Sequence, residues 1–189
     1  MRILRFVLAF WILLSGWGVA EMKKAVFIIA EDGFRDEEFF QPKEVLEKGG
    51  LEVKVASTTK GYAQGVLGAK VKPDILIQDI KVEDFDAVIF VGGAGASRYW
   101  DDPVAQKIVQ QAVAQNKVLA AICIAPVTLA RAGVLKGKRA TVWHSEAGQL
   151  KAAGADYTGS AVEKDGNIIT AAGPIAATAF GEEIVKALK

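Results

Sequence analysis

The sequence predicts an open, mostly parallel α/β sheet with helices on both faces. Two observations predict it: short apolar runs alternate along the chain with segments of helical periodicity, and several runs are apolar at consecutive positions. Strands that helices cover on both faces have such continuous apolar runs. The chain has 189 residues, enough for one such domain with a sizeable core. It has no repeat of fixed period, which excludes a solenoid.

The first strand and helix follow the N-terminal segment. Residues 25–30 (AVFIIA) form an apolar run rich in branched side chains, which predicts a buried strand. A polar loop over residues 31–38 leads through Pro42 into a helix predicted at 43–48. A Gly-Gly pair ends this helix, because glycine adopts the backbone conformations that a helix end requires.

The middle of the chain contains three further predicted strands and one helix. Residues 52–56 alternate in polarity as a strand, whereas the glycines in 61–79 predict shorter strands or a hairpin. Residues 87–91 form an apolar strand, and 104–115 have apolar side chains at helical spacing. Residues 118–122 are another apolar strand. Repeated alternation of this kind indicates right-handed crossovers in one sheet.

The last third of the chain continues the alternation. A helical segment at 125–132 precedes a strand at 139–142 and a short helix at 146–153. Residues 162–170 (VEKDGNIIT) predict a hairpin that turns at its Asp-Gly pair. An amphipathic helix at 176–188 closes the chain, so that helices are available for both faces of the sheet.

The N-terminal segment has the pattern of a secretory signal peptide. Two arginines precede the apolar run 6–14, and small residues stand at the end of the segment 1–20. The run is shorter than the ~20 residues of a membrane span, which makes an uncleaved anchor the weaker interpretation. We therefore predict an exported protein, periplasmic or secreted, with one domain at 21–189. Translation from Met22 would instead leave a cytoplasmic protein.

Charge and cysteine content limit the partners. The chain has 23 basic and 22 acidic residues, and loss of residues 1–20 leaves a net charge of −1. Charges of both signs are scattered, which predicts neither nucleic-acid binding nor membrane association after cleavage. Small molecules are the predicted partners. With one cysteine, the chain forms no internal disulfide.

That cysteine, Cys123, follows an apolar strand and precedes a predicted helix. Ligands of open α/β sheets collect at the carboxyl ends of strands, and a helix N-terminus stabilises a thiolate. Gly92 and Gly93 end the preceding strand of the sheet, where they allow backbone to approach a ligand or simply form a tight turn. An inert, buried thiol is the alternative interpretation of Cys123.

His144 is the only histidine of the chain and is a candidate proton carrier or a surface residue. One histidine and one cysteine supply too few soft ligands for a zinc site. The first helix also lacks a glycine-rich dinucleotide or phosphate-binding motif. The sequence therefore predicts neither a metal nor a cofactor.

Taken together, the motifs resemble the ThiJ/PfpI family, in the class I glutamine amidotransferase-like superfamily. The resemblance covers the chain after the signal segment and depends on these stretches: AVFIIA at 25–30, EEFFQP at 37–42, VGG at 91–93, AICIAP at 121–126, TVWH at 141–144, VEKDG at 162–166 and GP at 173–174. It implies a flavodoxin-like three-layer sandwich and a homodimer.

The resemblance also implies roles for particular residues. Cys123 matches a nucleophile in a strained turn, and Glu38 matches a carboxyl group that approaches it. Protease-like members have a histidine directly after the cysteine, where this chain has Ile124. Members similar to the parkinsonism-associated protein have a downstream histidine, which His144 matches. That branch commonly has Ser-Arg before its Gly-Pro pair, whereas this chain has Ala-Ala, so the resemblance does not carry over an anion-binding role.

We therefore expect a cofactor-free cysteine enzyme of glyoxalase or deglycase type that acts on reactive aldehydes or glycated groups. Cys123 would add to the carbonyl, Glu38 or His144 would move protons, and N–H groups around Gly92, Gly93 and Ile124 would hold the oxyanion. Two alternatives involve no catalysis. One is a redox sensor whose Cys123 thiol is oxidised by peroxide, and the other is a chaperone or binding module in which the cysteine is incidental.

Overall fold

The computed structural model describes residues 22–189, so the predicted signal peptide at 1–20 lies outside the described residues. The described chain forms twelve strands and five α-helices. The strands are β1 (Lys24–Ile28), β2 (Asp32–Phe34), β3 (Glu52–Ser57), β4 (Ala63–Gly65), β5 (Lys70–Val71), β6 (Ile75–Leu76), β7 (Ala87–Phe90), β8 (Val118–Ile122), β9 (Arg139–Ala140), β10 (Asp156–Tyr157), β11 (Val162–Asp165) and β12 (Ile168–Ala171). The helices are α1 (Asp36–Lys48), α2 (Pro103–Ala114), α3 (Pro126–Arg131), α4 (Ala147–Ala152) and α5 (Ala177–Leu188).

Seven strands form the central sheet, in the order β11-β12-β8-β7-β1-β3-β6. All neighbours are parallel except β11 and β12, which form the predicted hairpin. Its two turn residues are Gly166 and Asn167, one position later than the sequence predicts. Taken in chain order, the five long parallel strands have the flavodoxin-like arrangement 2-1-3-4-5, whose ligand crevice lies between β1 and β7. The predicted fold class is confirmed.

Helices cover both faces of this sheet, because the side chains of each strand alternate between them. Val26 and Ile28 of β1 belong to the core that packs under α2, α3 and α4. Phe27 and Ile29 belong to the opposite core, under α1 and α5. This alternation explains the continuous apolar runs in the sequence, since both faces of the strands are buried.

Helix α1 begins seven residues before the predicted start. Asp36, Glu37 and Glu38 occupy its first turn, where carboxylates interact favourably with the helix dipole, and Pro42 lies inside the helix. Proline removes one backbone hydrogen bond there, but Pro42 and Phe39 are buried in return. The sequence-based boundary was wrong because tertiary burial outweighs the local preference of proline.

Two small sheets lie beside the central one. Strands β4 and β5 form an antiparallel hairpin, as predicted for residues 61–79, and β2 pairs with β4. Strands β9 and β10 pair with each other away from the central sheet. Within residues 22–189, no helix has the length and apolar character needed to cross a membrane.

Candidate functional site

Cys123 occupies a strained turn between β8 and α3. Its φ angle is +64°, a left-handed conformation that residues other than glycine seldom adopt. Its N–H donates to the carbonyl of Ala171 at 2.8 Å, and its own carbonyl accepts from the N–H of Trp143 at 2.8 Å. Strain of this kind costs about 1–3 kcal/mol and persists only where the surroundings impose it. The two backbone bonds hold the thiol at the end of the sheet.

Gly92 brings the chain after β7 between Cys123 and Glu38. A Cβ atom at Gly92 would clash with the Oε2 atom of Glu38, the Cβ atom of Cys123 and the carbonyl oxygen of Ile122. At the next residue, Gly93, φ is +94°, and a side chain would clash with the backbone before α1. The glycines therefore serve close approach rather than a tight turn alone.

Glu38 lies in the first turn of α1 and is completely buried. Neither of its carboxyl oxygens makes a hydrogen bond of good geometry with another described residue. The Cys123 thiol and the Gly92 amide lie close enough to influence its ionisation. An unpaired buried carboxyl group is costly in its charged form, and such groups concentrate at functional sites.

Burial dominates the ionisation of this pair. It raises the pKa of Glu38 to about 7. Burial, followed by the charge of Glu38, raises the pKa of Cys123 to about 12, although N–H groups of Gly93 and Ile124 favour the thiolate. The coupled pair therefore loses its first proton near neutral pH and keeps the second. The expected lowering of the thiol pKa is absent because α3 begins only at Pro126 and desolvation is the larger effect.

These residues line a pocket of about 360 Å³ at the carboxyl ends of the strands. Of the site residues predicted from the sequence, Cys123, Glu38, Gly93 and Ile124 belong to its wall. The other lining residues are Arg35, Val66, Ala94, Trp143 and Pro174. The pocket therefore combines a thiol, a carboxyl group and backbone N–H groups in a space suited to a small molecule.

His144 does not line this pocket. It is exposed, and it lines a neighbouring pocket of about 210 Å³, with its ring centroid 4.8 Å from that of Trp143. Trp143 and Pro174 form the wall that both pockets share. The role of His144 in proton transfer stays a prediction, and Trp143, which the sequence analysis did not select, is the aromatic wall of the cysteine pocket.

Asp36 anchors the hairpin that supplies another part of the wall. Asp36 is 8% exposed, and its carboxylate accepts hydrogen bonds from the N–H groups of Leu67 and Ala69, at 2.9 and 3.0 Å. A side chain at Gly65 would clash with the same carboxylate, so glycine is required at this position. These contacts position Val66 at the pocket.

We expect Asp36→Asn to loosen this hairpin, because an amide presents an N–H group where one backbone N–H needs an acceptor. The free energy of unfolding should fall by about 1–3 kcal/mol in urea titrations. Amide exchange at Leu67 and Ala69 should also become faster. Asp32→Asn, at an exposed position of β2, is the control. Unchanged exchange at both amides would contradict the anchoring role.

In the described part of the chain, no group of three or more His, Cys, Asp or Glu side chains is arranged to hold a metal ion. The chemistry that we derive uses only the thiol, the carboxyl group and the backbone donors.

A flavodoxin-like sheet with a cysteine at positive φ, between a strand and a helix and beside a buried carboxyl group, defines a class of proteins with a nucleophile in a strained turn. The chain belongs to the DJ-1/PfpI family, whose profile matches residues 23–187. The predicted family is confirmed.

Relatives align with this chain over most of both lengths. An uncharacterized protein of Methanocaldococcus jannaschii is 45% identical over 169 residues, 88% of this chain and 82% of the relative. A deglycase of Pyrococcus abyssi is 33% identical over 164 residues, 87% of this chain and 99% of the relative. A glutathione-independent glyoxalase of Caenorhabditis elegans is 28% identical over 171 residues, 90% of this chain and 91% of the relative.

Solved structures agree with this assignment. A ThiJ/PfpI domain protein from Brachyspira murdochii has a TM-score of 0.86 and 32% identity, over 88% of this chain and 96% of that one. Drosophila melanogaster DJ-1beta has a TM-score of 0.79 and 29% identity, over 88% and 90% of the two chains.

Proposed function

We propose that this protein is a cofactor-free cysteine enzyme that acts on small reactive carbonyl compounds, of glyoxalase or deglycase type. The observation that carries the proposal is the juxtaposition of Cys123 and Glu38 across Gly92, in one pocket. Relatives named deglycase and glyoxalase support the same class of reaction. A small aldehyde fits the size of the pocket better than a polymer.

Near neutral pH the pair has one proton, and the reactive form has this proton on Glu38 and the negative charge on Cys123. The thiolate adds to the aldehyde carbon, which forms a C–S bond and moves the carbonyl electron pair to oxygen. The N–H groups of Gly93 and Ile124 favour negative charge at this position, and Glu38 supplies the proton. The product of this step is a hemithioacetal.

For a 2-oxoaldehyde, a proton then moves from the aldehyde carbon to the adjacent carbonyl carbon. This shift converts the hemithioacetal into a thioester, and water releases a 2-hydroxy acid and the thiol. The net reaction adds one water molecule to the substrate, so no oxidant or reductant is needed. Glu38 has the buried position and raised pKa that suit a group which gives and takes a proton near pH 7.

The direct test uses Cys123→Ala with methylglyoxal as the substrate and lactate as the measured product. We expect turnover to fall to the rate measured without protein, because no other cysteine is present in the chain. Circular dichroism of the variant verifies its fold. If Cys123→Ala retained the turnover of the wild-type protein, the proposed function would be wrong.

A redox sensor is the second candidate, since Cys123 is partly exposed and a peroxide can reach it. Mass spectrometry after mild peroxide treatment tests this role: addition of oxygen at Cys123 supports it, and an unmodified thiol contradicts it. Export and a homodimer stay predictions. Size-exclusion chromatography with light scattering tests the dimer.

A further inference from the structure

Arg35 places a positive charge at the wall of the cysteine pocket. It directly precedes α1, and its N–H donates to the carbonyl of Gly92 at 3.0 Å. This bond fixes Arg35 to the backbone that separates Glu38 from Cys123. The side chain is 36% exposed, so a solute that enters the pocket can reach it. Among the described residues that line this pocket, Arg35 has the only basic side chain.

Glu37 binds the guanidinium of Arg35 along one edge only. The Nε and Nη2 atoms of Arg35 donate to the two carboxylate oxygens of Glu37, at 2.8 and 3.0 Å. A guanidinium has five N–H donors, and this ion pair uses two of them. Within residues 22–189, the Nη1 atom of Arg35 makes no hydrogen bond. The edge formed by Nη1 and Nη2 therefore keeps its donors for a second anion.

The charge of Arg35 acts on both reactive groups. The ion pair with Glu37 raises the pKa of Arg35, and the charges of Glu38 and Cys123 act in the same direction. Conversely, burial raises the pKa of Glu38 while Arg35 opposes that rise. The guanidinium is thus within electrostatic range of the thiol, so a molecule that is attacked by Cys123 lies within its field as well.

We infer that Arg35 is a specificity-determining residue that selects carbonyl substrates bearing a carboxylate. The inference rests on the proposed function, because it assumes that the substrate carbonyl reacts with Cys123. The carboxylate of the substrate would bind the free edge of Arg35. The planar fork of a guanidinium matches a carboxylate with two parallel hydrogen bonds. A neutral aldehyde gains nothing from this edge, so Arg35 distinguishes the two kinds of substrate.

The test compares iodoacetate with iodoacetamide, which differ only in a carboxylate and an amide. In both reactions the Cys123 thiolate forms a C–S bond and iodide leaves. Because the chain has one cysteine, the gain in mass of the intact protein reports Cys123 alone. The ratio of the two rate constants measures preference for negative charge without any need for turnover.

We expect Arg35→Gln to lower the ratio of the iodoacetate to the iodoacetamide rate by about tenfold, which corresponds to about 1.4 kcal/mol. It should fall below the ratio for free cysteine, because the carboxylate of Glu37 still repels an anion. Arg35→Lys should have an intermediate ratio, since it keeps the charge and loses the fork. Arg98→Gln is the matched control, because Arg98 also forms an ion pair, with Glu31 at 2.7 Å, but does not line the pocket.

Equal ratios in wild type and Arg35→Gln would overturn the inference, as would an equal fall in Arg98→Gln. If Arg35→Gln does not fold, salt supplies the second measurement: the wild-type ratio must fall as salt screens the guanidinium, and a ratio independent of salt overturns the inference. Failure of the proposed function is recognised separately, as methylglyoxal turnover that does not depend on Cys123.

Discussion

Glu38→Gln is expected to lose most of its turnover and to gain stability above neutral pH. Glutamine has the shape of the carboxyl group but neither gives up a proton nor accepts charge. We expect kcat for methylglyoxal to fall by about 10²- to 10⁴-fold, the usual effect of removing a positioned acid or base. Alkylation of Cys123 should also require a higher pH, because the pair no longer loses its first proton near pH 7.

The stability effect has a definite sign. The pKa of Glu38 is about 7 in the folded protein, against 4.5 for an ordinary glutamate. Below pH 4.5 the residue is protonated in both folded and unfolded chains, and its neutral form costs nothing extra. As the pH rises to 7, the unfolded chain ionises while the folded chain resists, so the wild type loses about 3 kcal/mol. Glu38→Gln lacks this loss.

Urea denaturation of the wild type and Glu38→Gln between pH 4 and pH 8 measures how steeply the free energy of unfolding of each protein changes with pH. His144→Gln is the comparison for activity, since His144 is exposed and lies in the neighbouring pocket. We expect a smaller loss of kcat in His144→Gln. A larger loss there would assign proton transfer to His144, and equal pH slopes for wild type and Glu38→Gln would contradict the raised pKa of Glu38.

Gly92→Ala is expected to abolish turnover by adding one carbon atom. The new methyl group has no space between Glu38 and Cys123, and the carbonyl of Ile122 closes the third side. Either the carboxyl group or the strained turn must move. We expect a loss of about 1–3 kcal/mol in the free energy of unfolding, as for other overpacked interiors, and turnover near background. Thermal unfolding and the methylglyoxal assay measure the two effects.

Gly148→Ala is the matched control, because apart from its chain neighbours and the backbone of its own helix no described atom lies within 4 Å of the position where its Cβ would be built. Gly148 lies in α4, where alanine should stabilise the helix by about 0.5–1 kcal/mol and leave turnover unchanged. Wild-type turnover in Gly92→Ala would show that the reaction does not need the close approach of Cys123 and Glu38.

The architecture and the position of the thiol follow from local patterns in the sequence. Runs such as 25–30 are apolar at every position because helices cover both faces of the strand, and this pattern is local. The place of Cys123 at the end of a strand is equally local. The match of Glu38 to a family motif identified Glu38 as the partner of Cys123. The sequence placed Glu38 before α1, whereas it lies in the first turn of that helix.

The chemistry of the site, in contrast, depends on contacts that exist only in the folded chain. Glu38 and Cys123 meet because Gly92, far from both in sequence, leaves space between them. Their ionisation depends on burial and on each other. The local helix pattern predicts a lowered pKa for the Cys123 thiol, whereas desolvation raises it. Arg35 joined the site through its bond to Gly92. Solvation and charge act across space, so residue order alone does not specify them.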